Sequence, residues 1–107
     1  MENITSTEQW NSTVIRSQVP VFVDFWAEWC GPCRMIGPVL EDLAGDYGNS
    51  VKFVKVNVDQ AAELASRYNV FSIPTLMLFN QGKLVDQKIG AADKESYRNM
   101  IENVIAA

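Results

Sequence analysis

The strongest constraint on this chain is the order in which its apolar residues recur. Runs of strand length alternate with stretches of helical period, and that alternation predicts an α/β domain. Residues 21–26, "VFVDFW", and 51–58, "VKFVKVNV", are rich in β-branched and aromatic residues and read as strands. Between them Ile36, Val39, Leu40, Leu43 and Tyr47 recur at helical spacing, with Gly48 as a C-terminal stop and Pro38 inside, where a kink is expected. Asp59 is the expected cap of a third segment in which Ala61, Leu64 and Tyr68 share a face and Asn69 is the stop. "TLMLF" and "KLVDQKI" flank Asn80, Gln81 and Gly82, a hairpin signal. Asp93 caps a last helix with Tyr97, Met100, Ile101, Val104 and Ile105 on one face. Ser6 and Gln9 are spaced as a capping box for a short N-terminal helix before Trp10 and Val14.

At 107 residues and 48% hydrophobic content, residues 1–107 suit a single domain with one core. A net charge of -4 without a basic block speaks against nucleic-acid partners. No apolar run reaches the ~20 residues of a membrane span, and "MENITSTEQW" lacks the basic and apolar regions of a signal peptide. The expectation is a soluble, cytoplasmic protein. A mature form that has lost a targeting segment would read the same way.

Both cysteines lie in "EWCGPCRM" at 28–35, three residues apart. A structural staple across four residues is worth only about 2 kcal/mol by loop-closure entropy, against about 3 for fifteen residues. A tetrahedral metal site wants four Cys or His ligands, and the chain has two cysteines and no histidine, so no metal is expected. A redox pair fits better. Placed where a strand gives way to a helix, with Pro32 in the first turn, Cys30 and Cys33 have neighbouring Cβ atoms and can close or open a disulfide with little backbone movement. Cys30 then sits over free backbone N–H groups and the positive end of the helix dipole. Those stabilise a thiolate by at most about 2 kcal/mol, so a further hydrogen bond is needed.

Asp24 is the chain's clearest local inconsistency, a carboxylate inside an otherwise apolar strand. It is either an edge residue facing water or a buried group with a raised pKa beneath Cys33. Lys55, in the next strand, reads as a solvated lysine from its own surroundings. Pro74 reads as punctuation before a strand. Trp26 reads as core.

"FVDFWAEWCGPCRMIGPVLEDLA", "VKVNVDQ", "FSIPTLMLF" and Gly90 occur in that order, and together they resemble the thioredoxin family of the bacterial and chloroplast m-like kind over roughly residues 4 to 106. "WCGPC" with a downstream "IPT" is the specific part. The resemblance implies a thioredoxin fold, a central five-stranded mixed sheet flanked by four helices, where periodicity supplies only four strands. It implies a protein disulfide reductase, a dithiol electron carrier with Cys30 as exposed nucleophile and Cys33 as buried resolving thiol. It assigns Asp24 to proton transfer at Cys33, with Lys55 as its electrostatic neighbour. It makes Pro74 cis and frees the backbone of Ile73 to pair with an extended substrate. Trp29, Gly31, Pro32, Ile73, Pro74, Gly90 and Ala91 then form a flat apolar contact surface. Phe71 departs from the family, in which a basic residue often stands before the "IPT" loop.

Without a glycine-rich dinucleotide fingerprint the chain has no cofactor of its own in this reading. Electrons come from a separate thioredoxin reductase, NADPH- or ferredoxin-dependent, and go to disulfide-containing target proteins. The implied state is a monomer in the cytoplasm, or in the chloroplast stroma if a transit peptide has been removed. Two other readings remain open: a rigid subunit of a larger complex that does no chemistry, and a disulfide-forming oxidase or isomerase. Gly31 and Pro32 between the cysteines fit a reductant better.

Overall fold

The computed structural model describes residues 1–106. Five strands form one sheet in the order β1-β3-β2-β4-β5: β1 (Glu2–Asn3), β2 (Val21–Trp26), β3 (Lys52–Asn57), β4 (Thr75–Asn80) and β5 (Lys83–Ile89). β1, β3 and β2 run parallel, β4 is antiparallel to β2, and β5 is antiparallel to β4. The sheet is therefore mixed and five-stranded, as the resemblance implies. β1 escaped the periodicity because two residues show no period. It is held by parallel pairing to Val54 and Lys55, and by the Ile4 N–H donating to the Lys55 carbonyl at 2.8 Å.

β2 lies in the middle of the sheet, and its alternate residues feed two cores. Val21, Val23 and Phe25 pack with Trp10, Val56, Leu64 and Phe79 on one face. That face is covered by α1 (Thr7–Trp10), which continues as a π-helical turn over Asn11–Ile15, and by α3 (Ala62–Arg67). Phe22 packs with Leu40, Leu43, Leu76, Tyr97 and Ile101 on the other face, beneath α2 (Gly31–Tyr47) and α4 (Lys94–Ile105). Asp24 shares the α2 face with Phe22. Trp10 is wholly enclosed, its ring 5.2 Å from those of Tyr68 and Phe79 and its indole N–H donating to the Tyr68 hydroxyl at 3.2 Å.

The helices follow local chemistry, with two corrections. Ser6 accepts from the Gln9 N–H, while the Gln9 side chain returns to the Thr5 N–H at 3.0 Å, one residue outside the usual box. Asp93 accepts from the Ser96 N–H at 2.9 Å. α2 runs unbroken through Pro38 and ends at Gly48, whose φ is +56°. Asn69 ends α3's last turn at φ +58°. Asp59, expected to cap α3, does not. The helix begins at Ala62 with no side-chain cap, too far on for Asp59 to reach, and the carboxylate is committed to Trp29 instead. Ile105, expected on the buried face of α4, is exposed at the last turn. In the hairpin Gln81 and Gly82 both have positive φ, the two-residue turn that matches strand twist. A Cβ on Gly82 would lie 2.9 Å from the Ile15 carbonyl oxygen, so only glycine fits there.

Candidate active site

The site forms where β2 hands over to α2. Ala27, buried, accepts the Cys30 N–H at 3.2 Å and turns the chain. Cys30 is the N-cap of α2, with extended φ and ψ of -88° and 107°, and its sulfur accepts the Cys33 N–H at 3.2 Å. A cysteine here takes the place that Ser or Asp holds in an ordinary cap. The N–H groups that stabilise a capping oxygen are thus available to a Cys30 thiolate. Gly31 and Pro32 fill the first turn, where the missing proline donor is harmless.

Cys30 and Cys33 are joined as a disulfide with Cα atoms 5.3 Å apart. Exposure separates them little: Cys30 is 5% exposed and Cys33 is 2%. The exposed sulfur that the resemblance implies is, in this oxidised form, a residue nearly covered by its own helix start and by the loop before β4. What differs between the two is their surroundings. Cys30 Sγ lies 3.8 Å from the Ile73 carbonyl oxygen, on the side of the loop. Cys33 faces inward and lines a cavity of about 120 Å³ that also takes in Asp24, Trp26, Gly37, Glu41 and Lys55. Such a space is large enough for water to relay a proton between a carboxyl and a thiol.

Asp24 is 4% exposed, and its Oδ1 has no hydrogen-bond partner. The edge position weighed for it does not hold, because β2 has neighbours on both sides. Burial raises its pKa from 3.8 to about 7, with the nearby Lys55 ammonium pulling the other way. Lys55 is Asp24's register partner across β2 and β3. Its ammonium sits 4.6 Å over the centroid of the Trp26 ring, and no ion pair closes between it and the carboxylate. Asp24 is therefore charged or neutral according to small changes near neutral pH, the property wanted in a group that exchanges protons with a thiol.

The remaining residues border the sulfurs. The Ile73–Pro74 bond is cis, and Pro74 is buried. Gly90, at φ +91°, donates its N–H to the Pro74 carbonyl at 2.8 Å, bringing the end of β5 alongside the loop. Ile73 packs with Trp26 and Val58 against the cysteines. Pro32, Ala91 and Trp29 are exposed, Trp29 at 68%, while Gly31, Ile73 and Gly90 are half-buried. No local signal pointed to Asp59, which accepts the Trp29 indole N–H at 2.8 Å across thirty residues of sequence. Asn57 sets it there by accepting the Asp59 N–H at 2.9 Å. Phe71 projects fully from the loop.

Comparison with known proteins agrees with this geometry. A family model described as thioredoxin matches residues 2–103. The chain is 49% identical over 89 residues to thioredoxin 1 of Synechococcus elongatus, covering 83% of each chain. It is 44% identical over 103 residues to thioredoxin of Rickettsia bellii, covering 96% of this chain and 97% of that one. Against thioredoxin M4, chloroplastic, of Arabidopsis thaliana it is 43% identical over 100 residues, 94% of this chain and 52% of that protein, so it spans about half that relative's length. Motif, sheet order and relatives converge over nearly the whole sequence, and the chain belongs to the thioredoxin family of thiol–disulfide oxidoreductases, whose members work with a reductase and with disulfide-bearing targets.

Proposed function

We propose that the chain reduces disulfides in target proteins with unequal roles for its two cysteines, Cys30 attacking and Cys33 resolving. The observation that carries this is Cys30's position as a helix cap facing the loop, with Cys33 turned inward toward Asp24. In the reduced protein the Cys30 thiolate attacks one sulfur of the target disulfide. The target S–S bond breaks, a mixed disulfide forms, and the departing target thiolate takes a proton. Cys33 then gives its proton to the Asp24 carboxylate, through water in the shared cavity, and attacks Cys30 Sγ. The mixed disulfide breaks, the second target sulfur leaves as a thiolate that takes a proton, and Cys30–Cys33 is left oxidised with two electrons transferred. Lys55 is a positioning residue in this scheme, lowering the charge cost of ionised Asp24.

The Ile73 backbone, beside the cis Pro74, supports an extended target strand next to the sulfurs. Trp29, Gly31, Pro32, Gly90 and Ala91 supply flat apolar contact around it. We take residues 1–107 as one domain, a reading supported by the single five-stranded sheet on which the site is built, and a monomer as the working unit. The oxidised carrier is reduced by a separate thioredoxin reductase, NADPH- or ferredoxin-dependent. We place the protein in the cytoplasm. The chloroplast M-type names among its relatives favour the stroma as the second reading.

Replacement of Cys33 by Ser separates these roles. Cys33→Ser is expected to accumulate mixed disulfides through Cys30, isolable under non-reducing conditions, while Cys30→Ser traps nothing and reduces nothing. Normal turnover by Cys33→Ser would reject the assignment. Partner binding unchanged by replacing both cysteines, with no disulfide reduction by the intact chain, would favour a structural subunit.

A further inference from the structure

Phe71 is 87% exposed, the largest exposure of any big apolar side chain among the described residues, and it lies two residues before Ile73, whose carbonyl meets Cys30 Sγ. It is held there by its neighbours. Asn69 at positive φ turns the chain out of α3, and Ser72 gives its carbonyl to the Thr75 hydroxyl at 2.6 Å, so the loop is fixed on both sides of Phe71. Ile89, 66% exposed, lies at the end of β5 opposite Thr75. Together with Tyr68 and Leu84 these residues line a groove of about 340 Å³, at the low end of ligand-pocket sizes of roughly 300–1,000 Å³. Ser72 and Gln87 add uncharged polar groups, and no charged side chain lines it, in a chain that is 21% charged.

The groove shares no residue with the contact surface proposed above, yet it continues that surface at two points. Ser72 precedes Ile73, whose carbonyl lies against Cys30 Sγ, and Ile89 precedes Gly90, whose N–H is bonded to Pro74. A target segment passing the sulfurs along the loop therefore runs into it. An exposed apolar patch continuous with a binding site is a recognition feature more often than an accident of packing. An acidic or basic target residue would find no countercharge among the lining residues, whereas an apolar one finds three exposed side chains to cover, Phe71, Leu84 and Ile89.

We propose that this groove is a specificity subsite that takes one apolar side chain, of leucine, methionine or phenylalanine size, from the segment of a target protein flanking its disulfide. This rests on the reductase reading above. Only Ser72 separates Phe71 from Ile73, and two residues of extended chain span about 6–7 Å, which puts the anchor two or three residues from the attacked cysteine.

The test is a set of disulfide-bridged peptides identical except at that position, carrying Leu, Ser, Lys or Glu. The wild-type protein is expected to reduce the Leu peptide with about tenfold higher kcat/KM than the Ser peptide, the difference lying in KM. Phe71→Ala and Phe71→Arg should remove the preference by raising KM for the Leu peptide to that for the Ser peptide, and Phe71→Leu should restore it. Equal kcat/KM for all four peptides, a preference for a charged one, or a Leu preference that survives in Phe71→Ala would overturn the subsite. Failure of the wild-type protein to reduce any of the peptides would overturn the reductase reading instead.

Discussion

Replacing Asp24 by Asn removes a buried charge at nearly constant shape, and the structure fixes how the effect must vary with pH. Asp24 titrates at about 7 in the folded protein and near the ordinary 3.8 when exposed. The folded state therefore binds this proton more tightly than the unfolded chain does. Folding takes up a proton between those two values, and stability falls as pH rises through the window. At about 1.4 kcal/mol per pH unit, ionised Asp24 costs about 4 kcal/mol above pH 7 and nothing well below 3.8. Asn carries no such dependence, so Asp24→Asn should stabilise the oxidised protein by about 1 kcal/mol at pH 4.5 and about 4 kcal/mol at pH 8.5. The oxidised form is the right one to use, because its disulfide-bonded cysteines do not titrate and other carboxylates cancel between the two proteins. Urea unfolding at the two pH values reads the difference directly. A stability gain equal at pH 4.5 and 8.5 would refute the claim that Asp24 is held in the folded core with a raised pKa.

The same substitution should weaken the chemistry it stabilises against. Stopped-flow resolution of a mixed disulfide by Cys33 is expected to slow on the order of tenfold or more at pH 7, and to lose its rise between pH 6 and 8, when Asp24 becomes Asn. A wild-type pH profile in that variant would remove Asp24 from the proton path. Far from the site, Gly82→Ala puts a Cβ at φ +79° and 2.9 Å from the Ile15 carbonyl oxygen, and should cost about 1–3 kcal/mol. Its urea midpoint checks this, and an unchanged midpoint would mean the β4–β5 turn relaxes freely against the π-helical turn.

The elements that sequence reveals here are the ones whose physics is local. β2 and β5 match their predicted limits because their composition and turn signals sit within a few residues. Asp93 and Ser6 cap where short-range hydrogen bonding requires it. β1 was invisible because two residues have no period and are held wholly by β3. Asp59 shows the same limit from the other side: a good capping residue by type, it is drawn away by an indole thirty positions earlier. At the site, the helix-start placement of Cys30 could be argued from "WCGPC" alone. The sequence also marked Asp24 as anomalous, since a carboxylate in an apolar strand needs a reason. Local pattern could not join Asp24 to Lys55 beneath Cys33, because that depends on which strands are neighbours; only the family resemblance implied it. Phe71 stood out only as a departure from the family before the "IPT" loop; its exposure depends on the loop's direction, which no local pattern gives.

The reduction potential of the Cys30/Cys33 couple, measured at pH 7 against glutathione alongside reduction of an insulin-type disulfide, tests the central claim most directly. The account predicts a reducing couple near about -270 mV, the value characteristic of thioredoxins as a family, together with active reduction of the protein disulfide. A potential near the roughly -120 mV of strong dithiol oxidants, without reduction of the protein disulfide, would contradict it and assign the chain to disulfide formation.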